Sequence, residues 1–283
     1  MNRLPMMFAL ISLGLTWSLP ANAQEEAEAK DAIWNHNSAR TLPRGRVEFG
    51  LFSPSRVGIT DRLELQTNLL LDALLPNLGV KGNWAELGGW SLGSAHTLRY
   101  TTRLYSVITA EGTGGILPAN ITPPQMIELD NAILLTRDIK RSHALSLDLG
   151  ASVIPKFSEG VNPSGSLPVV DFPFLYTRTA AANGGATLRA GVAMTGSLVS
   201  KLEYLADVDV YYNTAIFLAP ALEQGASLAW RFSDHVSLSG GYRLALAKYE
   251  YGTRLHVMPT LDLRVGFQAF GVCACSSTRS ASR

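Results

Sequence analysis

Few residues in this chain are of types that do chemistry. The histidines are His36, His96, His143, His235 and His256. His96 follows Ser94 in "LGSAH" (92–96), close to the start of an alternating segment. Ser with His is a pairing that can attack an acyl carbonyl when geometry brings the two together. His143 and His235 fall in polar turns, where a solvated side chain is expected, and His256 lies in "TRLHVMP". The chain has no G-x-S-x-G elbow, no H-E-x-x-H and no paired-His metal spacing. "EGTGGI" (111–116) lacks the Gly-Lys-Ser/Thr of a phosphate loop. Cys273 and Cys275 form a C-x-C pair in a Ser- and Arg-rich tail, without the neighbouring His or Asp of a good metal site. No catalytic, cofactor-binding or metal-binding residue is assigned, and the chain is not expected to be an enzyme.

Ionic residues are better placed. Arginines and carboxylates recur at every second position within otherwise apolar segments. Arg99, Arg103, Asp148, Arg189, Asp207, Asp209, Arg231, Arg243, Asp262 and Arg264 are the candidates for one shared polar surface. Both signs are represented, so in a confined space the guanidinium groups are expected to pair with the carboxylates. Asp207 and Asp209 share one face of their segment. Two such carboxylates could bind a cation, although neighbouring arginines are the commoner explanation.

The elements that position these residues follow from the alternation. In "TLDLRVGFQAF" (260–270), Leu261, Leu263, Val265 and Phe267 oppose Asp262, Arg264, Gly266 and Gln268. "ALSLDLGASV" sets Leu145, Leu147, Leu149, Ala151 and Val153 against Ser146, Asp148, Gly150 and Ser152. The same period of two runs through Val47–Leu51, Leu63–Asn68, Leu98–Leu104, Ile127–Thr136, Thr187–Met194, Glu203–Val210, Ala226–Phe232 and Val236–Leu246. Sustained over about nine to eleven residues, it matches a tilted strand that crosses a bilayer. Short turns such as "GITDRLEL" (58–65) and "RFSDHVSL" (231–238) contain Asp after Ser or Thr, which bonds nearby backbone N–H groups. Longer Gly- and Pro-rich links cover 111–125, 156–168 and 178–185. The stretch "QTNLLLDALLPNLG" suits a short helix as well as a strand, because brief apolar runs do not reveal their period. Trp84, Trp90, Tyr100, Tyr105, Tyr176, Tyr204, Tyr211, Tyr212, Trp230, Phe232, Tyr249 and Tyr251 lie near segment ends, as an interfacial aromatic girdle requires.

Composition agrees. Charged residues make up 17% of the chain, below the roughly 25% of ordinary soluble domains. Apolar residues are plentiful but never form the run of 18 or more that a membrane helix needs. Residues 1–23 read as a secretory signal peptide: Arg3, an apolar core from Met6 to Leu19, then Ala21-Asn22-Ala23. The formal net charge of +1 gives no reason to expect nucleic acid as a partner.

Together the signal peptide, the alternating segments, the "TDR" and "SDH" turns and the near-terminal "LDLRVGFQAF" resemble bacterial outer-membrane β-barrel proteins over roughly residues 44–270. The resemblance implies an all-β, transmembrane, antiparallel up-and-down barrel of about ten to twelve strands. It also implies a 24–43 periplasmic leader and a disordered 271–283 tail. The partners implied are outer-membrane lipid and the barrel-assembly machinery, which reads a last strand ending in an aromatic. Phe267 fits the alternation there, whereas Phe270 is one step out of phase and a tail follows. The match is architectural and transfers no site residues. The expected function is passage of a small solute through a narrow or occluded lumen, or a structural role. Open aqueous channels use about 16–18 strands. The alternatives are a rim-sited hydrolase of lipid or peptide, and a soluble lipocalin-like binder whose apolar faces would point inward.

Overall fold

The computed structural model describes residues 37–110, 120–140, 142–161, 180–215, 220–249 and 252–269. The signal-peptide segment, Tyr176, Tyr251, Phe270, Cys273, Cys275 and the tail lie outside the described residues. The strands are β1 (Arg46–Gly50), β2 (Ser55–Thr60), β3 (Leu63–Thr67), β4 (Asn77–Leu87), β5 (Trp90–Arg99), β6 (Glu128–Lys140), β7 (His143–Val153), β8 (Ala186–Val199), β9 (Leu202–Asn213), β10 (Ala221–Arg231), β11 (Val236–Tyr249) and β12 (Gly252–Gln268). Each pairs antiparallel with its chain neighbours, and β1 pairs with β12 (Val47 opposite Phe267), so the sheet closes into a twelve-strand barrel. Closure gives every strand two neighbours, although β1 covers only Arg264–Gln268 of β12 and leaves the β1-side edge of residues 252–263 without a strand partner.

The two faces of this wall have opposite chemistry. Leu149, Leu188, Val192, Val210, Leu228, Leu255, Val257, Leu261 and Leu263 are all exposed on the outside. Their chain neighbours Asp148, Thr187, Asp209, Ser227, Asp262 and Arg264 turn to the inside. Leaving so many large apolar side chains in water would cost roughly 25 cal/mol per Å² of apolar surface, and no soluble barrel arranges its faces this way. The outer face is built to contact acyl chains. Strand length agrees for most of the wall: β4–β12 are 10 to 17 residues long. By contrast β1–β3 have only five or six residues. There the apolar exterior continues through Phe52, Leu69, Leu70 and Leu74 in the connecting segments.

Connections differ between the two ends, although the links 51–54 and 250–251 are short ones on the long-loop side. On one side the strands are joined by two to four residues (61–62, 88–89, 141–142, 200–201 and 232–235). The longest links, 100–127 and 154–185, are on the other side. Short turns mark the periplasmic end of such barrels and long loops the extracellular end. In the link before β4, a one-turn helix α1 (Leu69–Asp72) forms, with the Asn68 side chain capping the Leu71 N–H.

Three expectations need correction. The segment around Arg103 is not a strand, because β5 stops at Arg99 and a helix α2 (Thr101–Ile108) follows. Both ladders of β5 end there, with Arg99 opposite Asn77 on one side and Glu128 on the other. Beyond that point the backbone must satisfy its own hydrogen bonds, and helix does so. Thr101, Leu104, Tyr105 and Ile108 then fall on one helical face. Arg103 therefore lies outside the strand wall, its Nε donating to the Ala73 carbonyl at 2.7 Å. Two aromatics assigned to the girdle also sit elsewhere. Tyr105 is fully buried in a small apolar cluster with Ile121, Met126, Ile154 and Ala181 beyond the long-loop end of the strands, and Tyr211 is buried on the inner face.

Residues 37–43 sit inside the barrel. Ala39 packs against the inward-facing Ala132 and Leu134, and its N–H donates to Thr136 Oγ1 at 2.8 Å. The Leu42 N–H donates to Glu64 Oε2 at 2.8 Å, and Arg40 pairs with Asp138. This segment fills the short-turn end of the lumen beneath β2–β6.

Candidate functional site

The lumen wall carries ionic groups around its circumference. Glu48 on β1 holds Arg56 of β2 at 2.5 Å and Arg46 of its own strand at 3.0 Å. Next to them, Lys81 of β4 reaches Glu64 of β3 at 2.9 Å. Arg99 of β5 contacts Glu128 at 2.6 Å and Asp130 at 3.0 Å, both on β6. Arg189 of β8 meets Asp148 of β7 at 2.7 Å. Arg243 of β11 draws in Asp207 (2.7 Å), Asp209 (3.9 Å) and Glu223 (3.1 Å) from β9 and β10. Arg231 pairs with Glu203 at 3.1 Å, and Arg264 with Asp262 at 2.9 Å.

These pairs join neighbouring strands, strands one apart, or positions within one strand, so they run along the wall. Glycine makes that possible at two positions. A Cβ on Gly191 would collide with the carboxylates of Asp148 and Asp209, and one on Gly225 would collide with Asp207. Without side chains at these points, the carboxylates lie flat against the sheet and leave the axis clearer.

Burial divides the lumen in two. The Lys81 and Glu64 side chains are 0% exposed, closed off beneath the 37–43 segment. Arg189 and Arg243 keep 24% and 17% exposure, while the carboxylates they hold, Asp148, Asp207, Asp209 and Glu223, are buried against the wall. A small cavity lies between Glu128, Asp130, Ala151, Ser152, Thr187, Arg189 and Tyr211.

Of the residues picked out from sequence, Arg99, Asp148, Arg189, Asp207, Asp209, Arg231, Arg243, Asp262 and Arg264 face this interior and take part in the pairs above, while Arg103 does not. Glu64, Lys81 and Glu223 are equally part of the inner face. Lys81 sits in "GVKGNW", where glycines blur the alternation that marks a strand, so only its position opposite Glu64 in the β3–β4 register reveals it.

A second polar group lies on the outer face. Ser94 and His96 are two residues apart on β5 and point outward with Leu92 and Leu98; Asn131 of β6 is the register partner of His96. Ser94 Oγ is 2.9 Å from His96 Nε2, and His96 Nδ1 is 2.7 Å from Asn131 Oδ1. The Trp84 indole N–H donates to Ser94 Oγ at 2.8 Å. Trp84 falls at a register shift between Asn83 and Ala85 of β4, and bulges of this kind re-aim side chains. Its ring lies over Gly82, the residue opposite Ser94.

A closed, even-stranded antiparallel wall with an apolar exterior and an ionic interior defines a transmembrane β-barrel of the bacterial outer membrane. No protein-family model matches the chain, and no curated protein sequence matches it. Among solved structures it is similar to the KdgM porin in complex with disordered oligogalacturonate, at 8% identity over 78% of this chain and 94% of that one, with a TM-score of 0.38. Similarity to an anion-selective porin from Comamonas acidovorans is at 8% identity, covering 76% of this chain and 58% of the porin (TM-score 0.39). Pseudomonas aeruginosa OccK5 matches at 14% identity over 78% and 57% of the two chains (TM-score 0.36). This chain thus spans less than two thirds of the length of the latter two.

Proposed function

We propose that the barrel passes small polar solutes, with a preference for cations, past the part-exposed Arg189 and Arg243 on the inner face of β8–β11. The observation that carries this reading is the placement of the ion pairs against the wall, with two glycines making room for the carboxylates. Three carboxylates surround the single Arg243 guanidinium, which biases this stretch of the path toward positive solutes. The 37–43 segment narrows the short-turn end and restricts the bore to small molecules. Membrane lipid covers the exterior, and β12, with Phe267 in the outward phase, is the strand offered to the barrel-assembly machinery. The lumen is assigned no catalytic role.

Planar-bilayer recording of the refolded barrel tests the proposal. Discrete conductance steps are expected, with a reversal potential in a KCl gradient that reports K⁺ over Cl⁻. Silence at every voltage would overturn passage if it persists in a variant with residues 37–43 replaced by Gly and Ser, provided both proteins show the heat-modifiable gel mobility of a folded barrel. A purely structural role would then stand.

A further inference from the structure

Asp148, Gly191 and Asp209 form one row across the inner face of three strands. Asp148 of β7 and Asp209 of β9 are both register partners of Gly191 on β8. A Cβ on Gly191 would lie 2.1 Å from Asp148 Oδ2 and 2.3 Å from Asp209 Oδ1. The two oxygens therefore face each other over the glycine, no farther apart than those two distances together, about 4.4 Å.

Neither of these oxygens has a donor. Asp148 spends its other oxygen, Oδ1, on the Arg189 Nε at 2.7 Å. Asp209 accepts no hydrogen bond among the described residues, and its ion pair with Arg243 is made through Oδ2 at 3.9 Å. Both side chains are more than nine-tenths buried, at 7% and 8% exposure.

The surrounding charges leave the same deficit. Four carboxylates, those of Asp148, Asp207, Asp209 and Glu223, share the two guanidinium groups of Arg189 and Arg243. Asp207 Oδ1, one row away, is also buried without a hydrogen-bond partner. Carboxylate oxygens this close repel each other in a poorly hydrated wall unless a positive charge stands between them. Arg189 is committed to Asp148 Oδ1 and Arg243 chiefly to Asp207 and Glu223, so neither fills the place over Gly191.

We propose that a calcium ion binds there, bridging Asp148 Oδ2 and Asp209 Oδ1. Oxygen-only donors select a hard cation, and a local excess of two negative charges favours a divalent one. Calcium takes oxygen ligands at about 2.3–2.6 Å in a flexible shell, which suits two carboxylates held on separate strands; magnesium demands a near-ideal octahedron. No group of three or more His, Cys, Asp or Glu side chains is arranged to hold a metal among the described residues. Lumen water therefore completes the shell, and the affinity belongs with weak sites, about 10⁻⁴–10⁻³ M. Glycine at 191 is required because any side chain would stand between the two oxygens. The role of the site, though not its existence, rests on the cation path proposed above: a bound divalent ion cancels the acidic bias of this stretch and lowers K⁺ selectivity.

Calorimetric titration of CaCl₂ into the refolded, lipopolysaccharide-free barrel in zwitterionic detergent reads binding without conductance. Saturable binding is expected for wild type, with MgCl₂ about tenfold weaker or more. Asp209→Asn, Asp148→Asn and Gly191→Ala should each weaken Ca²⁺ about tenfold or more, whereas Asp262→Asn on β12 should leave it unchanged. Heat-modifiable mobility confirms that each variant is folded. In bilayers, about 5 mM CaCl₂ should lower the K⁺ over Cl⁻ preference of wild type and leave that of Asp209→Asn as it was. A barrel that binds Ca²⁺ through Asp209 yet never conducts upholds the site and overturns passage alone. Folded wild type without saturable binding would overturn the site, as a proton shared by the two aspartates would produce. So would Mg²⁺ binding as tight as Ca²⁺, or Ca²⁺ binding that Asp209→Asn and Asp148→Asn leave unchanged.

Discussion

Replacing Lys81 by Met probes the filled side of the lumen most directly. The Lys81 Nζ lies 2.9 Å from Glu64 Oε1, and both side chains are 0% exposed. Methionine matches the lysine stem in volume, so packing is preserved while the charge is lost. The Glu64 carboxylate then keeps the Leu42 N–H at 2.8 Å and Arg56 at 3.9 Å, the latter held mainly by Glu48 at 2.5 Å. Breaking a buried pair by removing one partner costs about 3–5 kcal/mol. Removing both partners, as Lys81→Met with Glu64→Leu, leaves no stranded carboxylate. The remaining loss is then the Leu42 N–H without its acceptor, about 1–3 kcal/mol, together with the weaker hold on Arg56. The double variant should thus be more stable than Lys81→Met alone. Reversible urea unfolding in short-chain phospholipid vesicles, followed by tryptophan fluorescence, gives both values. A single-variant loss under about 1 kcal/mol, or a double variant less stable than the single, would refute a dry ion pair beneath the 37–43 segment.

Other perturbations address the remaining faces. Leu149→Arg puts a cation on the lipid side and should cost about 2–4 kcal/mol in the same unfolding assay. A loss under about 0.5 kcal/mol would contradict the assigned faces. Gly191→Val forces the Asp148 and Asp209 carboxylates off the wall and is expected to lower single-channel conductance severalfold, and an unchanged conductance would mean that the path runs elsewhere. Arg243→Gln leaves three carboxylates without their cation and should shift the reversal potential further toward K⁺. A shift toward Cl⁻ would rule out this cluster as the selective stretch.

Much of the barrel was legible because a pleated strand has a period of two. Leu261, Leu263 and Val265 against Asp262 and Arg264 announce an oily and an ionic face whatever their neighbours are, and β7 and β8 read equally well. The pattern failed where two periods coexist: in "YTTRLYSVI" the same residues fit strand alternation and a helical stripe, and the ends of the flanking ladders decided for helix. It also failed at Tyr211, since an aromatic at a strand end says nothing about which face it takes once the girdle is assumed. Ser94 and His96 were visible as a pair, but Asn131 was not connected to them, because 35 residues separate it from His96.

By itself the chain determined that its strands have one face for lipid and one for charge, since alternation is a property of local covalent geometry. The tertiary structure alone decided which charges meet. Register across the sheet brings Arg243 to Asp207 over Gly225, sets Lys81 against Glu64, and aligns His96 with Asn131. Register arises from long-range pairing between strands, summed around a closed wall, and no short stretch of sequence contains it.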